Sequence, residues 1–134
     1  MSKGNATETD ILALIFTATA LPWAAETNLD IHLHTADPGE AGTSATSEAT
    51  YGSYAVVTVA RSIAGWTVTG NSCVNDALIQ FPQCTSGTNT LTHVSITPEG
   101  DTQILYSGAL NASLSVSSGI QPQFAAGALT ITED

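Results

Sequence analysis

Basic residues are almost missing from this chain: Lys3 and Arg61 stand against twelve Asp and Glu, a formal charge of −10 over 134 residues. That balance excludes nucleic acid as a partner, because a polyanion is repelled where no basic side chains can displace its counterions. Charge of either sign is scarce, at 10% of residues. Alanine, threonine, serine and glycine fill the gap, so the outer surface has to be built of hydroxyls and backbone, which suits close contact with neighbouring proteins. Cysteine is limited to Cys73 and Cys84, eleven residues apart. That spacing is no CxxC redox pair and, without a second pair or nearby histidines, no zinc site. The two read as small buried hydrophobes or as a bridge between neighbouring strands.

Catalytic signatures are absent as well. There is no GxSxG elbow, no GxGxxG and no phosphate-binding GxxxxGK, and the single lysine stands at position 3. Nothing points to a nucleophile, so neither enzymatic activity nor a cofactor is expected. The longest apolar run, residues 11–21, is shorter than the roughly 20 residues that span a bilayer. Glu8 and Asp10 directly before it carry the wrong sign for the flank of a secretory signal. The run is expected to be a helix of the folded protein, with Thr7 as its cap, Asp10 closing a capping box, and Pro22 ending it. Its apolar face, including Ile11, Leu14 and Ile15, is expected to dock onto a sheet or onto a second subunit.

What remains reads as β structure. Leu29, Ile31 and Leu33 alternate with Asp30, His32 and His34, aliphatic on one face and polar on the other. Residues 54–59 are apolar on both faces and are expected to form a central strand. Ala112, Leu114 and Val116 are expected inward with Ser113, Ser115 and Ser117 outward, and residues 65–69, 91–97, 103–109 and 126–132 complete the set. Pro82, Pro98 and Pro122 fall at loop or edge positions, where a missing N–H does no harm. There is no internal repeat, and no heptad pattern long enough for a fibre shaft. The fold class expected is mainly β, an antiparallel sandwich or jelly-roll-like barrel with one short N-terminal helix. Residues 1–134 make a single domain, 1–22 as N-terminal arm and helix and 28–134 as the β part.

One constellation has the residue types of a metal site. Asp30, His32 and His34 project from the same strand face at i, i+2 and i+4, and two imidazoles with a carboxylate can hold zinc or iron. An exposed strand face that happens to be polar accounts for the same residues, and no supporting ligand lies close in sequence. Asp37 and Glu40 fall short of the six to eight oxygens that calcium takes. Among the aromatics, Trp66 is expected in the core. Trp23, in a connecting segment after Pro22, is the candidate intersubunit anchor, with Tyr51 and Tyr54 as further interface candidates. A carbohydrate platform around Trp23 or Trp66 is the other use of such rings.

The segment Leu33-His34-Thr35-Ala36-Asp37-Pro38-Gly39-Glu40-Ala41-Gly42-Thr43 leads into Glu48-Ala49-Thr50-Tyr51-Gly52-Ser53-Tyr54-Ala55. Asp-Pro-Gly fixes φ at Pro38 and lets Gly39 take positive φ, so the chain must turn there. Together with Gly65-Trp66-Thr67, Thr92-His93-Val94, residues 105–110 and residues 124–131, this order resembles a family of small tailed-bacteriophage virion proteins of tail-fibre-like or head-decoration type. Val56 departs from the family's common Arg, and Cys73 and Cys84 stand where small residues without sulfur are usual. The resemblance implies a structural part of a virion, folded and assembled in the host cytoplasm, while the charge balance and the short apolar run give the expectation of no nucleic-acid or membrane partner. The role favoured here is capsid decoration, a cement protein bridging major capsid protein subunits; the low charge and the apolar helix add the expectation of a homo-oligomer, most simply a trimer. A tail or fibre component that contacts the host surface is the alternative within the particle, and a sugar-binding module is the alternative outside that class.

Overall fold

The computed structural model describes residues 1–134. In chain order the elements are β1 (Ser2–Lys3), α1 (Asn5–Thr17), β2 (Asn28–His34), β3 (Val57–Ala60), β4 (Trp66–Thr69), β5 (Ser72–Asn75), β6 (Ile79–Gln80), β7 (Asn89–Pro98), β8 (Tyr106–Val116), β9 (Gln123–Phe124) and β10 (Thr130–Thr132). Every strand pairing is antiparallel. The main sheet runs β1-β8-β7-β2-β3, a second runs β10-β5-β4, and β6 pairs with β9. The fold is mainly β with one short helix, as expected, and none of the sheets closes into a barrel.

The core lies between the main sheet and the two smaller ones. Ile31 and Leu33 of β2 face Ile96 and Val94 of β7 across the ladder, and the same cluster takes in Ile79, Phe81, Leu129 and Ile131 from the other side. Each such aliphatic taken out of water contributes about 1.5–3 kcal/mol, so this layer dominates the fold's stability. Asp37 makes the turn after β2 as its sequence requires: its Oδ1 accepts the Gly39 N–H at 2.9 Å, and Gly39 sits at φ +73°. Asn75 joins the small sheets, its side-chain amide donating to Ala77 and Ala125 carbonyls while its Oδ1 accepts the Leu129 N–H.

Three expectations are corrected. Residues 54–59 do not form a central strand; β3 begins at Val57 and is an edge, paired with β2 alone. Tyr54 instead turns into the core, and β2, next to β3, is the strand covered on both faces. Residues 103–109 and 112–117 are not separate strands, because β8 is continuous from Tyr106 to Val116. Ala112 and Leu114 stay accessible, with Val116 alone of the expected inward trio buried.

The helix differs most. It starts at Asn5, with Gly4 as N-cap and no side-chain cap. Gly4 is required there, since a Cβ would fall 2.3 Å from the Ile104 carbonyl oxygen. Thr7 is buried one turn inside, donating its hydroxyl to that same carbonyl at 2.9 Å. Asp10 accepts from the Gln103 side chain instead of closing a capping box. The helix stops at Thr17, before Pro22, where Ala18 enters the left-handed region at φ 55° and its N–H reaches the Ala13 carbonyl. Only the first two turns are tied to the body of the protein, at the connection between β7 and β8. The apolar face is not docked.

Candidate interaction surface

Helical geometry sorts α1 into two sides. Thr7 and Asp10, at i and i+3, face the body of the protein, where they are held by Ile104 and Gln103, and Leu14 follows on the same side at i+7. Leu12, Ile15 and Phe16, at i, i+3 and i+4, form the opposite stripe, and they are 57%, 65% and 79% exposed. Of the candidates named from sequence, Ile15 belongs to this stripe, Leu14 is 42% exposed and Ile11 is half-buried. Leu12 and Phe16 complete the stripe, and the i, i+3, i+4 spacing in residues 12–16 is the sequence signal that marks them.

Trp23 lies half-buried in the connection after the helix, with the Arg61 guanidinium over its ring at 4.9 Å. Arg61 also donates to the carbonyls of Trp23, Ala24 and Glu26, so one of the chain's two basic side chains serves to fix this connection. Trp23 and Trp66 line a cavity of ≈310 Å³ with Leu29, Cys73 and Tyr106. Both indole N–H groups are enclosed without a partner, so neither ring offers an open shelf with a free donor.

Tyr51 and Tyr54, expected at an interface, belong to the interior of this chain. Tyr51 packs edge-on against Tyr54 at 5.4 Å, Tyr54 stacks on Phe81, and Phe81 meets Phe124 edge-on. The Tyr51 hydroxyl donates to the Pro82 carbonyl, and the Tyr54 hydroxyl donates to Glu48 while accepting the Leu33 N–H. Burial pushes both phenols above their ordinary pKa, so each stays neutral and able to donate.

The polar face of β2 is not the exposed face expected of it. Asp30, His32 and His34 are all buried, the two histidines between residues 46–48 and β7. His32 Nδ1 donates to Glu48 at 2.7 Å and its Nε2 is hydrogen-bonded with Thr97 Oγ1 at 3.0 Å. His34 Nδ1 donates to the Thr46 carbonyl at 2.8 Å, which leaves Nε2 to accept from Ser95 Oγ at 2.7 Å. Asp30 accepts from the Thr58 hydroxyl and the Gly100 N–H. Every ring nitrogen and both carboxylate oxygens of the triad are therefore engaged within the chain. Nowhere do three His, Cys, Asp or Glu side chains gather as a metal would need. Burial holds His34 below the ordinary histidine pKa, with His32 and His93 pushing the same way and Glu48 opposing.

At the N-terminal edge Lys3 is paired with Glu133, which also accepts from the Tyr106 hydroxyl. The Lys3 bond holds the Glu133 carboxyl below the usual range, and the same bond raises Lys3. Cys73 and Cys84 are free thiols, the first half-buried on β5 and the second buried in the core. No helix is long and apolar enough to cross a membrane.

What this assembly of parts offers is a polar interior closed on itself and an apolar helix that projects uncovered. Compared with known families, residues 2–132 match the family model described as podophage GP4 fiber I protein gp80. The chain belongs to that family. As a member of the gp80 fibre family it is a structural protein of a phage virion and associates with other virion proteins. No curated protein sequence matches it.

Proposed function

We propose that this gp80-family chain is a non-enzymatic structural subunit of a podophage fibre, attached through its N-terminal helix to copies of itself and to neighbouring virion proteins. The observation that carries the reading is the uncovered stripe of Leu12, Ile15 and Phe16, in a family whose description names a fibre. Covering each of these side chains recovers about 1.5–3 kcal/mol that the isolated subunit leaves unrealised. The remaining surface, poor in charge and rich in hydroxyls, suits dense packing in a particle. A trimer is the simplest closed form for such a subunit, assembled in the host cytoplasm.

Capsid decoration is the second reading, favoured by the same charge-poor surface, with the major capsid protein as partner. Gold-labelled antibody against this chain on purified particles separates the two. Label on projecting fibres supports the first reading. Label spread evenly over the shell replaces it with the second.

A further inference from the structure

The chain carries a hole as well as a knob. Between β7 and β8 the register breaks: from the pair His93↔Ala109 to the pair Leu91↔Leu114, β7 advances two residues (93 − 91) and β8 five (114 − 109). The surplus residues of β8 lift away from β7, and a cleft of ≈420 Å³ opens beside them. Its accessible lining is Ala109, Leu110, Ala112, Leu114 and Phe124, over a floor of the core residues beneath. No residue of α1 does, so the chain's own helix leaves the cleft open. Beyond Tyr106 and Ser107, which pair with β1, the outer edge of β8 has no strand beside it.

We propose that copies of this chain join head to tail, the Leu12–Ile15–Phe16 stripe of α1 on one copy seating in the β8 cleft of the next. The inference rests on the fibre-subunit reading and adds the two surfaces through which subunits meet. Three features support the pairing. First, the i, i+3, i+4 stripe is the shape by which a helix lies in an apolar groove. Second, each copy carries −10, so two copies are repelled except where their facing surfaces are free of charge. Residues 11–25, with the stripe, and residues 102–132, with β8 and one wall of the cleft, contain no Asp, Glu, Lys, Arg or His. Third, knob and hole lie on one chain and neither is satisfied within it. A foreign partner would account for one of them; a second copy accounts for both.

Such a contact is heterologous, and it either closes into a ring or continues as a filament. A three-fold ring of these contacts is the trimer proposed above. The geometry also sets this arrangement apart from one in which the helices of different copies pack against each other, because the helix-to-cleft contact needs two different surfaces.

The test uses the full chain and two charge insertions, Phe16→Glu on the knob and Leu114→Glu at the mouth of the cleft, where Leu114 is already partly exposed. Mass is measured by light scattering after gel filtration, with far-UV circular dichroism and thermal melting to confirm folding. Wild type is expected to run as a closed or open multiple of the monomer mass. Each variant alone is expected to be monomeric, its self-association weakened at least tenfold. Mixed together the variants are expected to form a one-to-one complex, because one retains the cleft and the other the helix. A monomeric wild type at high micromolar concentration would overturn the inference. So would a Leu114→Glu protein that stays oligomeric, which would mean that helices meet helices, or a mixture that stays monomeric. Should Leu114→Glu melt early, Leu114→Ser serves the same mixing test with less strain. None of these outcomes bears on where antibody labels the particle, so the fibre reading stands or falls separately.

Discussion

Asp30, His32 and His34 on the back of β2 are polar and buried, while Leu12, Ile15 and Phe16 on α1 are apolar and exposed. The two regions invert the usual placement in opposite directions, and the difference lies in whether partners are found within the chain. Behind β2 every ring nitrogen has one: Glu48 and Thr97 for His32, Thr46 and Ser95 for His34. A buried polar group that is fully bonded costs little, and one that loses its partner costs the whole desolvation penalty. On α1 the stripe has no partner in its own chain, and apolar surface of that kind is covered in an assembly. One region therefore specifies the fold, and the other is the surface that the proposed assembly would cover.

The comparison is broken most severely at His34. His34→Ala is expected to lower unfolding free energy by about 2–4 kcal/mol, since it empties a fully buried site and strands Ser95 Oγ and the Thr46 carbonyl. Urea denaturation followed by circular dichroism measures it, and a loss within about 0.5 kcal/mol would mean the network contributes little.

Acid probes the same region more gently. His34 has its pKa held below the ordinary 6.5 by burial, and His32, His93 and Glu48 are the charged or titratable groups that act on it. Between that lowered value and 6.5 the unfolded chain binds more protons than the folded one, so stability rises with pH there. The contribution is fully present above pH 6.5 and is lost as pH falls through the lowered folded value. Melting temperature followed downward from neutrality is expected to decline for wild type and to decline less for His34→Gln; equal slopes would assign the acid sensitivity elsewhere.

The helix is expected to respond in the opposite sense. Replacing Leu12, Ile15 and Phe16 together with serine leaves the fold within about 0.5 kcal/mol per site, as for surface positions generally, yet abolishes self-association. A large fall in melting temperature for the purified monomer would show that the stripe packs within its own chain. Lys3→Ala is expected to have the smallest effect. Its ion pair with Glu133 is partly exposed and screened by salt, so the denaturation midpoint should stay within error of wild type.

Much of this was legible in the residues, and the limits have physical reasons. Alternation in residues 29–34 placed β2 and its two faces, and Asp37-Pro38-Gly39 placed the turn, because strand period and turn chemistry are local. That the polar face is buried was not local information. It depends on Ser95 and Thr97, which lie 61 and 65 residues away from their histidine partners. Small hydroxyls alternating with Val94 and Ile96 on β7 were the available trace, and only the register with β2 gives them meaning. Thr7 had the spacing of a helix cap, but its hydroxyl is taken by Ile104, 97 residues on. The apolar run in α1 was plain. Whether it docks inward or outward depended on the first two turns, which bind Ile104 and Gln103 and aim the stripe away.

The central claim is that this chain is a fibre subunit that reaches the particle through contacts its own fold leaves open. Its copy number against the major shell protein in washed, purified virions tests that most directly, since stoichiometry follows the symmetry of the site occupied. The account predicts a small number of copies per particle, in multiples of the fibre's symmetry. Near-parity with the shell protein, or loss of the chain on washing, would contradict it.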